Sequence, residues 1–190
     1  VDGATTEISP TDPVLLVISE TDTEYNTRRL ATKTTIKDSG GTVYSITEAG
    51  YDTLNRLDCS AVRLKLTNLP SNVCEVNTVP SADGPDRITR NHYDKAGRAV
   101  RIEQAVDTSL RRDYATYTFT LNGQMESMTD ARGYKAVMAY DGFDRQSHWY
   151  FPNPSVTGQH NTADYEQYTY DNRNNRISLR KRDGSVINYQ

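Results

Sequence analysis

The chain has 190 residues, of which 35% are hydrophobic, and its 22 basic and 25 acidic residues leave a net charge of −3. These charges are spread along the whole length, so the concentrated basic surface that nucleic acid requires is missing and we expect no nucleic-acid partner. No apolar stretch reaches the length of a membrane span. Thirteen tyrosines outnumber three phenylalanines and one tryptophan, and a ring with a polar tip suits half-buried sheet faces.

In chain order, residues 1–23 are polar apart from the run Val14–Ile18, which predicts one short buried strand. From residue 24 to residue 190 we predict a single array of repeats. The two cysteines in this array, Cys59 and Cys74, lie 15 positions apart. They would form a disulfide in an exported protein or remain two small apolar residues in a reducing compartment, and both interpretations stand.

The array is marked by a short motif that contains tyrosine, aspartate, two free positions, a turn residue and often an arginine. Its copies are Tyr51-Asp52-Asn55-Arg56, Tyr93-Asp94-Gly97-Arg98, the degenerate Phe119-Thr120-Gly123-Gln124, Tyr140-Asp141-Asp144-Arg145, and Tyr170-Asp171-Asn174-Asn175. The copies begin 42, 26, 21 and 30 residues apart. This spacing indicates one supersecondary unit of about 21 residues with insertions, so function is to be sought in the array.

Backbone sterics explain the motif as a turn. The aspartate accepts hydrogen bonds from the backbone just ahead, and the residue three places later takes the left-handed conformation that closes a three-residue hairpin loop. Every copy has a residue that tolerates this conformation: Asn55, Gly97, Gly123, Asp144 and Asn174.

The flanking segments read as strands. The two-residue period that is typical of a β-strand runs along Tyr134–Tyr140 and along Tyr168–Tyr170. Further turn signals lie at the opposite ends of the strands, at Asp38–Gly41, Asp130–Gly133 and Asp183–Gly184. We therefore predict an all-β fold, a strip of antiparallel β-hairpins. Within each hairpin, we expect the motif tyrosine and arginine to stack across the two strands in a structural role.

Three segments break the strand pattern. Asn68–Pro85 and Phe151–Asp164 contain clustered proline, glycine and asparagine, which predict long surface loops. Ala105–Asp113 is the one segment that favours a helical turn.

No motif in the chain points to catalysis. A nucleophile elbow, a phosphate-binding loop and a dinucleotide fingerprint are all missing, and the scattered His92, His148 and His160 share no ligand spacing with the cysteines. The cluster Asp171–Asn175 lacks the ligand spacing of a calcium loop. We expect neither enzyme activity nor a metal or other cofactor.

The segments GYDTLNRL at 50–57, HYDKAGRA at 92–99, AYDGFDRQ at 139–146 and TYDNRNNR at 169–176 resemble the tyrosine-aspartate (YD) repeats of the Rhs family. That family is related to the C components of Tc toxins and to the teneurins. The resemblance covers about residues 24–190. The chain departs from the pattern at Phe119 and Thr120, and at the three turn positions where Asn55, Asp144 and Asn174 replace glycine.

The resemblance implies a β-strip that spirals into a hollow shell in a secreted or cell-surface bacterial protein. In toxin members the shell encloses a C-terminal effector beyond a self-cleaving core, and this chain contains neither. The partners implied are the remainder of its own polypeptide and an encapsulated effector. Because Gly184 places the next motif tyrosine just past Gln190, we expect the chain to be a piece of a longer polypeptide.

Two alternative functions remain. The aromatic run His148, Trp149 and Tyr150 is a candidate platform for stacking sugars, which would make the segment an adhesive or carbohydrate-binding module with glycans as partners. Open sheet edges would instead support self-association into an extracellular filament.

Overall fold

The computed structural model describes residues 19–189, and within this range the chain forms one sheet of 13 antiparallel strands in sequence order. The strands are β1 Ser19–Tyr25, β2 Ala31–Asp38, β3 Val43–Tyr51, β4 Leu57–Arg63, β5 Arg87–Tyr93, β6 Ala99–Gln104, β7 Arg112–Phe119, β8 Met125–Asp130, β9 Lys135–Tyr140, β10 Gln146–Pro152, β11 His160–Tyr170, β12 Arg176–Arg180 and β13 Val186–Asn188. The predicted all-β strip of hairpins is confirmed. A helix able to cross a membrane is not found among these residues.

The described part of the sheet starts close to the predicted boundary of the array. Strand β1 begins at Ser19, so the boundary drawn between residues 23 and 24 falls inside the first strand of the sheet. The strand predicted at Val14–Ile18 lies outside the described residues.

One turn geometry makes nine of the twelve connections between the described strands. In the turn at Asp94, the N–H of Gly97 donates to the Asp94 carbonyl at 3.0 Å, and the N–H of Asp94 donates to the Arg98 carbonyl at 3.0 Å. The fourth residue is left-handed, as predicted: φ is +63° at Asn55, +83° at Gly97, +88° at Gly123, +60° at Asp144 and +66° at Asn174. A one-residue register shift beside the turns at β3–β4, β5–β6, β7–β8, β9–β10 and β11–β12 completes the bulged hairpin.

The remaining three connections are longer and span residues 64–86, 105–111 and 153–159. The first contains the predicted loop Asn68–Pro85. The helical turn predicted at Ala105–Asp113 is wrong, because Ala105 and Asp107 have φ of +53° and +62°, which a right-handed helix does not contain. Two successive reverse turns occupy residues 105–111 instead.

The loop predicted at Phe151–Asp164 is also too long. Strand β10 extends to Pro152 and β11 begins at His160. Phe151 continues the strand, with its ring centre 5.2 Å from that of Trp149 and the Arg182 guanidinium 3.9 Å from its own ring centre. The short loop that remains folds back on the turn at Gly133, where the N–H of Gly158 donates to the Gly133 carbonyl at 2.8 Å.

The apolar core is small and lies on one face of the sheet, beneath the connection 64–86. Its buried centre consists of Cys59, Ala61, Ile88 and Val106. Val73 and Val76, which both belong to the connection 64–86, pack against this centre. Cys59 and Cys74 are joined by a disulfide, which ties this long connection to β4. Of the two interpretations open from the sequence, the structure contains the disulfide.

A buried ion network also holds this connection, on the same face of β4 as Cys59 and Ala61. The side chain of Arg63 is fully buried and contacts Glu48 at 2.5 Å and Asp86 at 2.9 Å. Its guanidinium also donates to the carbonyls of Glu75 and Val73, at 2.7 and 3.3 Å. A buried cation is tolerated only when its donors are satisfied in this way, so Arg63 fixes the path of the connection.

Asp86 completes this network. Burial alone would raise the pKa of Asp86, but hydrogen bonds from the Leu64 N–H, the Arg63 guanidinium and the Asn77 N–H outweigh it, so the pKa lies below its ordinary value. The carboxylate therefore stays charged beside Arg63 at neutral pH.

Replacing both cysteines, C59A/C74A, should lower the free energy of unfolding by about 3 kcal/mol, because the unfolded chain loses a cross-link around a short loop. Alanine avoids leaving an unpartnered hydroxyl at the buried Cys59 position. Urea denaturation followed by Trp149 fluorescence measures the effect, with the reduced native chain as the matched control. An unchanged unfolding midpoint in both samples would contradict the role given to the disulfide.

Candidate functional site

Six of the bulged turns lie side by side at one end of the strands, because each joins an odd-numbered strand to the following even-numbered one. We call these the clasp turns and number their residues first to fifth. They span residues 26–30, 52–56, 94–98, 120–124, 141–145 and 171–175. All the predicted motif residues belong to this row or directly precede it.

Within a clasp turn, the first residue organises both backbone and side chain. Asp94 Oδ1 accepts the N–H groups of Ala96 and Arg98 at 2.9 and 3.0 Å. Its Oδ2 binds Arg98 through Nε at 2.7 Å and Nη2 at 2.6 Å. The same two-point contact joins Asp52 to Arg56 and Asp141 to Arg145. The aspartate therefore shapes the turn and also aims the guanidinium.

The guanidinium does not stack on the tyrosine of its own hairpin, which corrects the predicted cross-strand pair. It lies over the aromatic ring of the next motif: Arg56 over Tyr93 at 4.3 Å, Arg98 over Phe119 at 4.4 Å, and Arg145 over Tyr170 at 4.7 Å. The reason is that the fifth residue belongs to the turn, where the aspartate holds its side chain sideways along the row.

The motif tyrosines reach in the opposite direction. Each hydroxyl donates to the carbonyl of the residue that directly follows the preceding clasp turn. The pairs are Tyr51 to Ala31 at 2.9 Å, Tyr93 to Leu57 at 2.9 Å, Tyr140 to Met125 at 2.7 Å and Tyr170 to Gln146 at 2.9 Å. Phe119 has no hydroxyl and keeps only the stacking contact. Arginine and tyrosine thus fasten each repeat to both neighbours.

Sequence reasoning missed the first clasp turn, in which Asn26 takes the place of aspartate. Asn26 Oδ1 accepts the N–H groups of Arg28 and Leu30, each at 3.0 Å. Asparagine offers the same acceptor oxygen as aspartate, so Tyr25-Asn26 was the signal that would have revealed a further copy. The Arg28 side chain donates to Asn55 in the second clasp turn.

Sequence reasoning also missed a side-chain link made by the degenerate copy of the motif, which starts at Phe119. Asn122 donates to both carboxylate oxygens of Asp144 in the next clasp turn, at 2.8 and 3.1 Å. No local pattern marks Asn122, because its partner lies 22 residues away.

The proposed sugar platform is not formed as one surface. Successive side chains on β10 point to opposite faces. The rings of His148 and Tyr150 stack on one face, 5.4 Å apart, while Trp149 stacks on Phe151 on the other. The aromatic run therefore divides between two faces, which overturns the platform of three residues.

Two concave surfaces are found among residues 19–189. A groove of about 670 Å³ lies beside β4 and β5, lined by Val62, Pro85 and Leu110 among others. A pocket of about 370 Å³ lies between Trp149 and Tyr168. Asp58 lies close to Cys59 and Cys74, but the disulfide occupies both sulfurs, so this group does not make a metal site.

In three clasp turns the first-position aspartate and the fifth-position arginine neutralise each other. The pKa of Asp94 is lowered first by the hydrogen bond from the Arg98 N–H and further by the Arg98 side chain, against an opposing effect of burial. The Arg145 side chain is the main cause that lowers the pKa of Asp141. The first-position carboxylates Asp94 and Asp141 are thus engaged within their own turns.

Comparison with known proteins gave no matching family model and no matching curated protein. Among solved structures, the chain is similar to TcdB2-TccC3-TEV, with a TM-score of 0.44 and 14% identity over 85% of this chain and 10% of that one. It is also similar to a Photorhabdus luminescens Tc holotoxin pore with a substituted TccC3, with a TM-score of 0.42 and 17% identity over 88% of this chain and 9% of that one. The chain spans about a tenth of these structures.

Replacing Arg145 by methionine should destabilise the sheet by about 1 to 2 kcal/mol, since it removes a bidentate ion pair and a cation–π contact. It also removes donors at 3.0 and 2.9 Å to Asp171 and Asn174 in the next clasp turn. Chemical denaturation measures the change. Arg132→Met is the control, because Arg132 is an exposed arginine in a turn at the opposite ends of the strands. Equal decreases in unfolding free energy in both variants would contradict the role of Arg145 in joining neighbouring clasp turns.

Acid should loosen the clasp turns. The folded-state pKa of Asp94 lies below the ordinary value, so its contribution to stability is complete above about pH 4 and disappears as the pH falls through the lowered pKa. Asp94→Asn should therefore be less stable than the native chain at pH 7, and the difference should shrink toward pH 2. Thermal unfolding across this range measures it, and a difference that does not change with pH would contradict the linkage.

Proposed function

We propose that this chain is a non-catalytic wall segment of an Rhs-type exported protein, a strip of β-hairpins that contributes to a larger enclosing sheet. The observation that carries the proposal is the fastening of successive repeats through the clasp turns. Most arginine, aspartate and tyrosine side chains of the motif either shape the clasp turns or join neighbouring repeats.

The shape of the core supports a wall more than a closed domain. Few side chains are fully buried outside the patch beneath the connection 64–86, and large residues such as Tyr44 and Ile187 remain exposed at 55% and 38%. A sheet stabilised by links along its length can be extended at β1 and β13, whereas a single-core domain has no such freedom.

The disulfide supports the exported location. Disulfides persist in oxidising compartments and are rare in the cytosol. Cys59–Cys74 secures the longest connection of the described chain, so its formation before or during assembly of the wall would protect that connection from proteolysis.

The proposal is tested in the natural polypeptide that contains these residues. We expect cryo-electron microscopy to show β1 and β13 paired with neighbouring strands, so that the sheet continues on both sides. The triple variant R56M/R98M/R145M should make this polypeptide sensitive to proteases, because the fastening of three successive clasp turns is weakened; R132M is the matched control. A sheet that closes on itself, with the motif residues around a bound ligand, would overturn the proposal.

A further inference from the structure

The clasp turns are linked by a donor that comes from either of two positions. In three turns the donor is the fifth residue: Arg56, Arg98 or Arg145. In two others it is the third residue, Arg28 or Asn122, whose side chain binds Asn55 or Asp144. In both cases the donor contacts the next repeat, either at the aromatic ring that directly precedes the next clasp turn or at the left-handed fourth residue of that turn.

The two positions are complementary. Where the fifth residue is arginine, the third is Leu54, Ala96 or Phe143, none of which has a polar side chain. Where the fifth residue is Leu30 or Gln124, the third is a donor. Each of these five turns therefore has one long donor directed along the row.

The sixth clasp turn has a donor at the third position only. Its fifth residue, Asn175, turns inward and donates to Asp171 Oδ2 at 2.9 Å. Arg173, the third residue, is exposed and its side chain has no hydrogen bond or ion pair among residues 19–189. Beside it, β13 is the last strand of the sheet, with Val186, Ile187 and Tyr189 exposed by 56%, 38% and 42%.

We propose that Arg173 and the β13 edge form a docking surface for a further clasp turn, one that carries asparagine or aspartate at its fourth position. An oxygen acceptor at that position is what Arg28 and Asn122 bind in Asn55 and Asp144. This inference rests on the proposed wall function and specifies how the wall is extended at this end.

A second copy of the chain fits this surface poorly. Its first clasp turn has Arg29 at the fourth position, with φ of +62°. Stacking that turn on Arg173 would bring two guanidinium groups together with no carboxylate between them, and like charges in contact are destabilising. The charge pattern thus selects a different clasp turn and disfavours head-to-tail self-assembly.

The test extends the full chain at Gln190 with a copy of its own residues 140–152, which supplies a clasp turn with aspartate at the fourth position and a following strand. Hydrogen exchange of the added segment is the measurement. We expect protection in the native background and in R132A, and protection reduced roughly threefold to tenfold in R173A, the net loss of one solvent-exposed hydrogen bond. Arginine at the fourth position of the added turn should reduce protection similarly.

Equal protection in R173A and R132A would overturn the assignment to Arg173 while leaving the wall function standing. An added segment that exchanges freely in every background would overturn the docking surface itself. Sedimentation that shows head-to-tail dimers of the native chain, abolished by R173A, would also overturn it, because the occupant would then be a second copy.

A second measurement tests the exchange of donor positions inside the chain. Asn122→Ala should lower the melting temperature by about 2 °C through loss of the link to Asp144. Adding Thr120→Asp and Gln124→Arg together, which supplies a fifth-position guanidinium and the first-position aspartate that holds it in the other turns, should restore it. If N122A/T120D/Q124R is no more stable than N122A/T120D, the two positions are not interchangeable and the rule that assigns Arg173 falls.

Discussion

The hydrogen bonds accepted by the first residue of each clasp turn are the constraint on which the rest of the sheet depends. One carboxylate oxygen of Asp94 closes the backbone turn, and the other holds Arg98 in a bidentate contact. Because the turn geometry and the guanidinium direction come from the same side chain, a correctly formed hairpin automatically presents the group that engages its neighbour. The hydrogen bonds within one turn therefore determine how neighbouring repeats are joined along the sheet.

Each link is weak, and their sum is what stabilises an open sheet. A cation–π contact or a net hydrogen bond contributes about 0.5 to 1.5 kcal/mol, too little to secure an isolated hairpin. Repeated along the row, such contacts substitute for the large apolar core that this composition does not supply. The region of β4 and β5 adds a local core, with its disulfide and the buried Arg63, where the longest connection must be held. Repeat proteins distribute stability in this nearest-neighbour manner.

Much of the fold was predictable, because hairpin turns are local. An aspartate with a glycine three positions later, as in Asp94 and Gly97, specifies a bulged turn, so the turn positions could be predicted from the sequence. The two-residue period likewise predicted the strands. The errors arose where distant contacts outweigh local preference. Ala105 has good intrinsic helix propensity, yet it adopts a left-handed conformation beside Val106, whose N–H donates to the distant Ile88 carbonyl. Phe151 remains in a strand, where the distant Arg182 lies over its ring at 3.9 Å. Asn26 was overlooked because its role depends on an oxygen rather than on the identity of the residue.

The repeat, its turns and the all-β architecture were therefore inherent in the sequence, since backbone sterics act over four or five residues. Which residues meet across repeats was decided only in the folded sheet. Arg56 and Tyr93 are 37 positions apart, and nothing near either one indicates that they stack. Strand alternation likewise separated Trp149 from His148 and Tyr150. The register of neighbouring hairpins brings these groups together or apart, and that register results from the sum of contacts over the whole sheet.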